Sequence, residues 1–289
     1  MSIRIPFSLC AAPNTQASRR RWSLAACMLR SVVLFSGCAK DPPSSTSSIA
    51  LSGIRMRVTM RFQNPVNPAY HYYFLINYDQ SVGPGGNKNG IGPVAVLGPT
   101  NSSGTNIGYG NGFASGSGGS AYGFTDFVKY ENGAYQLLHV IGSPTVSNFI
   151  NEGQPIAFTL PNSGNPNVLQ FDIDLSQIVV SPTGALLTPA ATVQQAKAIQ
   201  WLEINMVATD VVPAGQNIPV NKQVDALGNT VEGDASYLTL DMTQFQTYQN
   251  SSFAGQNVYE PEGDVWPLGS GADESLDLVD WSISVVQQQ

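Results

Sequence analysis

The 289-residue chain is short of charge, since Asp, Glu, Lys and Arg make up only 11% of it. So little charge excludes a long salt-bridged helix or a coiled coil, both of which need many Glu, Lys and Arg residues. The 13 basic residues and the net charge of −7 argue against nucleic-acid binding, because that affinity depends on cationic contacts to phosphates. With 42% hydrophobic residues, the chain can still bury a sizeable core.

Cysteine and histidine are also scarce, with three cysteines and two histidines in the whole chain. No cysteine follows Cys38, so the folded part has no disulfide framework. His71 and His139 lie in predicted strands, and a zinc site would need three or four converging ligands. We therefore expect packed or surface imidazoles and no zinc. The sequence also lacks a Gly-x-Ser-x-Gly elbow, a phosphate loop and a dinucleotide fingerprint.

Residues 1–37 contain five arginines, no acid and an apolar run too short for a stable membrane span. This start is typical of a secretory signal peptide. The run Leu34-Phe35-Ser36-Gly37-Cys38 resembles the lipobox of bacterial lipoproteins, and Ser18 to Leu24 partly resembles a twin-arginine export motif. The lipobox resemblance implies cleavage before Cys38 and lipid attachment to its thiol. The alternative is that residues 1–37 include mis-assigned upstream residues and that Cys38 is an ordinary thiol.

The lipoprotein interpretation divides the chain into three parts. Residues 1–37 are the signal peptide, 38–49 are the lipidated cysteine with a polar tether rich in Ser and Pro, and 50–289 form a single domain. All 20 acidic and only eight basic residues follow residue 37, so the mature chain has a net charge of −12. The expected location is the cell envelope, on the periplasmic or extracellular side, with the membrane as a partner through the anchor.

Alternation of apolar and polar residues with period two dominates the chain after residue 50 and predicts strands with one buried face. Ile54–Phe62 shows it most clearly, with Arg or Thr between the apolar residues. Asn132-Gly133, between two apolar runs, predicts a hairpin. The other predicted strands are Tyr70–Asp79, Pro93–Leu97, Phe124–Tyr130, Ala134–Ile141, Ile156–Leu160, Val168–Leu175, Trp201–Ala208, Tyr237–Met242 and Leu276–Val285.

One helix is predicted at Ala190–Ile199, where Thr188 can cap the helix and Pro189 suits its first turn. Residues 103–123 contain eight Gly among 21 residues and predict a long loop that we expect to be dispensable for folding. About ten to twelve short strands separated by turns favour an all-β fold. We predict one antiparallel, jelly-roll-like β-sandwich with long Gly-rich loops and one short helix.

Three features of strand order point to a class of sandwich. A strand ending at Asp79 precedes a Gly-rich loop, an alternating strand spans Phe171–Leu175, and a later strand ends at Asp210. This order is similar to that of DOMON and family 9 carbohydrate-binding modules, which are secreted β-sandwiches. The resemblance implies the fold and a glycan as the class of ligand, and it carries over no ligand residue.

Aromatic residues are the candidate ligand-binding groups. Tyr70 and Tyr73 lie on opposite faces of one predicted strand, and Trp266 lies in an acidic, Pro-containing loop. Flat rings near neutral amides suit sugar binding, through apolar stacking and hydrogen bonds. The alternative is that these rings pack in the core.

Seven acids and no basic residue lie between Glu260 and Asp280, and calcium takes six to eight oxygen ligands from such loops. The candidate ligands that we select are Glu262, Asp264, Asp273 and Asp277. A second acidic group consists of Asp225, Asn229, Glu232 and Asp234. Neither group has EF-hand spacing, and the alternative is a solvated acidic surface. No cofactor other than calcium is indicated.

These observations predict an exported, lipid-anchored envelope protein with a binding or structural role and a glycan as the candidate ligand. Self-association is a further expectation, because a neutral polar surface opposes it less than a charged one. The alternative is a secreted carbohydrate-active enzyme or its accessory module. Its paired carboxylates would be Asp172 and Asp174, which share one strand face. We expect these two to be plain surface acids and the protein not to be an enzyme.

Overall fold

A computed structural model describes most of the chain from residue 50 onward. The described residues are 50–78, 82–83, 86–87, 92–93, 124–140, 149–179, 187–210, 223–229, 236–266 and 271–288. The predicted signal peptide, Cys38, the polar tether, the Gly-rich loop 103–123 and most of the predicted strand Pro93–Leu97 lie outside them. In the described part, no helix combines the length and the hydropathy that a membrane span requires.

The described residues form fourteen strands, all paired in antiparallel fashion, and one α-helix. The strands are β1 (Ile54–Phe62), β2 (His71–Asn77), β3 (Val82–Gly83), β4 (Gly86–Asn87), β5 (Asp126–Glu131), β6 (Ala134–Val140), β7 (Phe149–Gly153), β8 (Ala157–Thr159), β9 (Val168–Asp174), β10 (Trp201–Thr209), β11 (Val224–Ala226), β12 (Leu238–Asp241), β13 (Thr247–Gln249) and β14 (Leu278–Gln287). The helix α1 spans Pro189–Ala198.

Two large sheets pack on each other. The five-stranded sheet has the order β13-β14-β1-β9-β8, and the seven-stranded sheet has the order β11-β10-β2-β5-β6-β7, with β12 also paired to β10. Apolar residues of both sheets share one main core, in which the rings of Phe74 and Phe171 lie 5.5 Å apart. The prediction of an all-β antiparallel sandwich is therefore confirmed.

The period-two pattern decides which residues of the central strand β1 enter the core. Met56, Val58, Met60 and Phe62 are buried, whereas the arginines between them lie on the outer side of the five-stranded sheet. Such alternation is what a sheet with one buried face requires.

Strand β2 departs from this rule because it is buried on both faces. Tyr72, Phe74 and Ile76 belong to the main core, whereas Tyr73 and Leu75 belong to a second apolar cluster on the outer side of the seven-stranded sheet. A strand covered on both sides needs apolar residues at every position, which explains the run of rings in its sequence.

The predicted hairpin and helix both form. Asn132 and Gly133 adopt left-handed backbone angles, with φ of 51° and 76°, in the two-residue turn between β5 and β6. The hydroxyl of Thr188 accepts a hydrogen bond from the Ala191 N–H at 3.3 Å and so caps α1.

The chain enters the sandwich at Ser52 and Gly53, which are held by the fully buried carboxylate of Asp174 at the end of β9. Asp174 accepts hydrogen bonds from both N–H groups and from the Ser52 hydroxyl, at 2.7–3.0 Å. It also accepts the N–H and hydroxyl of Ser176, in the short 3₁₀ turn that follows β9. The last strand closes on the same point, because the Gln288 N–H donates to the Gly53 carbonyl.

Candidate functional site

Four buried acids converge where β11 meets the start of β14, and we call them the buried carboxylate cluster. Its members are Asp225, Glu260, Asp264 and Asp277, which are 0%, 1%, 4% and 2% exposed. The three aspartates each place a carboxylate oxygen within 4.8 Å of the others. Asp225 lies on β11, Asp277 directly precedes β14, and the other two lie in the loop between β13 and β14.

Backbone N–H groups orient these carboxylates. Asp225 accepts the Ala226 N–H at 2.9 Å and the Leu278 N–H at 2.6 Å. Both oxygens of Asp277 accept the Gly263 N–H, at 3.1 and 3.0 Å. The Oε2 atom of Glu260 accepts the Gly228 N–H at 3.1 Å. The carboxylates lie on separate chain segments, and these hydrogen bonds hold their orientations without a bound ligand.

The loop that contributes two members of the cluster is itself held in place. The Asn250 side chain donates to the Glu260 carbonyl at 2.9 Å and accepts the Glu260 N–H at 2.8 Å. Val224 and Trp266 exchange two backbone hydrogen bonds of 2.8 Å, which join the other end of the loop to β11. The cluster is therefore a built site and not a chance meeting of mobile acids.

The electrostatics of the cluster are unfavourable without a counter-charge. Burial raises the pKa of Glu260 well above its ordinary value, and the negative charges of Asp225 and Asp264 raise it further. Burial also raises the pKa of Asp277. Removing an ionised carboxylate from water costs on the order of several kcal/mol per ion even after relaxation. Such a cluster therefore requires either bound protons or a bound cation.

Two of the four predicted calcium ligands, Asp264 and Asp277, lie in this cluster. Glu262 is exposed and accepts the Gln63 amide at 2.7 Å. Asp273 accepts the Tyr70 hydroxyl at 2.7 Å. Burial acts to raise the pKa of Asp273, but the hydrogen bonds from Tyr70 and Ser275 outweigh it and lower that pKa. Glu262 and Asp273 therefore have other contacts and lie outside the cluster.

The structure joins the two acidic groups that the sequence presents separately, because Asp225 from the first group meets Asp264 and Asp277 from the second. Of the other members of the first group, Glu232 and Asp234 lie outside the described residues. A signal was available in the sequence. Asp225 and Asp277 are single acids flanked by apolar residues, Val224 and Ala226 for one and two leucines for the other. Val224 and Ala226 belong to the outer apolar cluster, so strand alternation turns Asp225 to the opposite face of the sheet.

The predicted aromatic ligand residues are not brought together in one groove. Tyr73 is buried in the outer apolar cluster of the seven-stranded sheet, and Trp266 packs partly buried against the same cluster. Tyr70 packs partly buried against the main core. Its hydrogen bond to Asp273 raises the pKa of its hydroxyl to about 12. Ligand binding by these three rings stays a prediction.

The outside of the five-stranded sheet forms an outer polar face made of two rows that cross all five strands. In the order β8, β9, β1, β14, β13, the first row is Ala157, Asp172, Arg57, Ser284 and Thr247. The second row, in the same order, is Thr159, Gln170, Thr59, Ser282 and Gln249. Every residue of the second row has a hydroxyl or an amide.

A shallow groove of about 180 Å³ opens on this face at the β8 edge. Arg57 and Asp172 line it and form a two-point ion pair with both N–O distances at 3.0 Å. Gln170 and Thr159 add an amide and a hydroxyl, and Phe158 adds apolar surface. The Arg57 side chain remains 55% exposed, so it is accessible to a ligand from solvent.

The groups considered for catalysis or for zinc binding have structural contacts. Asp172 and Asp174 are buried, which corrects the expectation of plain surface acids: Asp172 pairs with Arg57, and Asp174 holds the chain entry point. The imidazole of His71 contacts Glu131 at 2.7 Å, and that of His139 contacts Asp126 at 2.8 Å. Both imidazoles are partly buried, as expected from their strands.

The comparisons with known proteins give no relative. No family model matches the chain, and neither a curated protein nor a solved structure is similar to it. A function for this chain therefore has to be inferred from the chemistry of its sites.

Proposed function

We propose that this protein is a lipid-anchored envelope domain that binds a neutral glycan on its outer polar face and performs no catalysis. The groove beside the Arg57–Asp172 pair carries this proposal, since it combines hydrogen-bonding groups with an apolar surface. Sugar sites use this combination because a pyranose has an apolar face and a rim of hydroxyls.

The charges at the groove favour a neutral ligand over a charged one. Arg57 pairs with Asp172, and Arg61 pairs with Asp280 at 2.8 Å, so each of these cations is matched by an acid. At about 180 Å³ the groove is smaller than the roughly 300–1,000 Å³ of a drug-sized ligand cleft. It suits one sugar ring, and the rows of hydroxyls and amides would support the rest of an extended chain.

Binding of the full chain, solubilised in detergent, to a panel of neutral polysaccharides tests this proposal. Arg57→Ala should weaken binding by about tenfold, since it removes the exposed side chain that lines the groove and with it a charged hydrogen-bond donor. Arg61→Ala is the matched control, because Arg61 lies on the same strand and face, is 52% exposed and also pairs with an aspartate. No binding to any glycan, or equal losses in both variants, would contradict the proposal.

The anchor is a separate part of the proposal. Ser52 and Gly53 are already fixed by Asp174, so the fold begins only a few residues after the predicted tether, as expected for a domain displayed close to a membrane. Replacing Cys38 by Ser should abolish incorporation of labelled fatty acid and release the protein from the membrane fraction. Two or more acyl chains are expected, because one chain alone anchors only marginally. Unlabelled wild-type protein would refute this part and leave the glycan proposal intact.

A further inference from the structure

The buried carboxylate cluster has a feature that hydrogen bonding within the fold does not explain. The Oε1 atom of Glu260 is buried and has no hydrogen-bond partner among the described residues, although the side chain is only 1% exposed. The charges acting on this carboxylate from Asp225, Asp264 and Asp277 are all negative. A buried acceptor without a donor is rare in folded proteins, and a bound proton, water or cation would satisfy it.

We propose that the buried carboxylate cluster is a Ca²⁺ site that joins the two sheets of the sandwich. The three aspartates come from β11, from the loop before β14 and from the residue that directly precedes β14, and Glu260 lies beside them in that loop. Strand β11 belongs to the seven-stranded sheet and β14 to the five-stranded sheet. An ion held between them cross-links sequence positions that are some 50 residues apart, as Asp225 and Asp277 already are by the Asp225–Leu278 hydrogen bond.

The donor set decides between metals. The three converging aspartates and the adjacent Glu260 offer hard oxygen donors, and the cluster contains no imidazole or thiolate. Zn²⁺ and Cu²⁺ select nitrogen and sulfur ligands, so this set does not suit them. Mg²⁺ keeps several of its waters and is usually bound by one or two carboxylates, whereas Ca²⁺ accepts six to eight oxygens in irregular geometry. Three buried aspartates that converge within 4.8 Å, with a fourth buried carboxylate beside them, therefore fit Ca²⁺.

Burial also decides what the ion does. All four acids are at most 4% exposed, so no face of the site is open for an external ligand. The Ca²⁺ has a structural role: it offsets half of the charge of four ionised carboxylates and ties the start of β14 to β11. This role is independent of the glycan groove, which lies on the outer polar face and has a different set of residues.

Calorimetric titration of the full chain in detergent, stripped with a chelator at neutral pH, tests the inference. We expect one Ca²⁺ per chain, weaker binding of Mg²⁺, and a rise in Tm of about 5–10 °C at roughly a hundredfold excess of free Ca²⁺ over its Kd. Asp225→Asn should weaken Ca²⁺ binding at least about tenfold. Asp280→Asn, an exposed acid on β14 itself, is the matched control and should leave binding unchanged.

Asp225→Asn could also disturb the fold, because Asp225 accepts the Leu278 N–H. Asp264→Asn is therefore a second variant with the same expected loss. Identical melting curves in chelator and in excess Ca²⁺, together with no heat of binding, would overturn the proposal and leave a protonated cluster. An equal response to Mg²⁺, or an Asp280→Asn loss as large as that of Asp225→Asn, would also overturn it.

Discussion

We expect substitution of Asp174 to lower the free energy of unfolding more than the other substitutions predicted below. Its carboxylate accepts five hydrogen bonds while fully buried, and these join Ser52 and Gly53, where the chain enters the sandwich, to the turn after β9. Asp174→Ala removes all five at once. Four of the five go to Oδ1, which Asp174→Asn retains as the amide oxygen. The Gly53 N–H donates to Oδ2, and in the variant it would face the amide NH₂ group, which is also a donor.

The size of the effect follows from the donors that are left behind. The N–H groups of Ser52 and Ser176 are buried, and each costs about 1–3 kcal/mol when it loses its acceptor. The two hydroxyls can rotate, and the Gly53 N–H is partly solvated, so they add little. Asp174→Ala should therefore lower the free energy of unfolding by about 2–6 kcal/mol, and Tm by roughly 5–20 °C. Asp174→Asn should cost about 1–2 kcal/mol.

Urea denaturation followed by tryptophan fluorescence measures these differences, because Trp281 is buried in the main core. Asp172→Ala is the control. Asp172 lies two residues earlier on the same face, but its partner Arg57 is half exposed, so the loss should be about 0–1 kcal/mol. An Asp174→Ala cost below about 1 kcal/mol, or one equal to that of Asp172→Ala, would refute the reasoning.

Three smaller predictions concern other elements. Burial acts to lower the pKa of His139, but the hydrogen bond and charge of Asp126 outweigh it and raise that pKa. The stability that protonated His139 contributes is complete below the ordinary imidazole pKa and lost as pH rises through the raised value. Unfolding measured from about pH 6 to 9 should therefore show falling stability in the wild type and a flatter profile in His139→Gln. Gly133→Ala should cost about 1–2 kcal/mol in chemical denaturation, because Gly133 has a left-handed φ of 76°. Thr188→Ala should cost about 1 kcal/mol by the same measurement through loss of the α1 cap, and no change would show that the cap is dispensable.

Most long strands could be predicted because each has its own periodic signal. β1, β9 and β10 alternate over seven to nine residues, and the structure places them within a residue or two of the predicted bounds. The strands that were not predicted are all short: β3 and β4 have two residues each, β11 and β13 three each, and β7 five. Segments this short carry too few residues to show a period, and pairing with a neighbour from elsewhere in the chain defines them.

The candidate metal site could be predicted only in part for a related reason. The acid density near Asp264 and Asp277 is a local property and is visible in the sequence. Asp225 joins them only because β11 pairs with β10 and because Val224 bridges Trp266, and neither contact has a local signal. Burial of Tyr73 is similar, since a ring on the outer side of a sheet is buried only if other segments cover that side.

The short strands at the sheet borders have a consequence for how copies of this chain meet one another. The five-stranded sheet ends in β13 and β8, which offer three residues each, and β11 at one end of the seven-stranded sheet is equally short. At the opposite end, the pairing of β7 shifts register at Leu137/Leu138, and Gly153 has a φ of 101°. Unpaired edges are templates for aggregation, and short or irregular ones blunt them. The geometry of these borders would let crowded molecules touch without continuing each other's sheets.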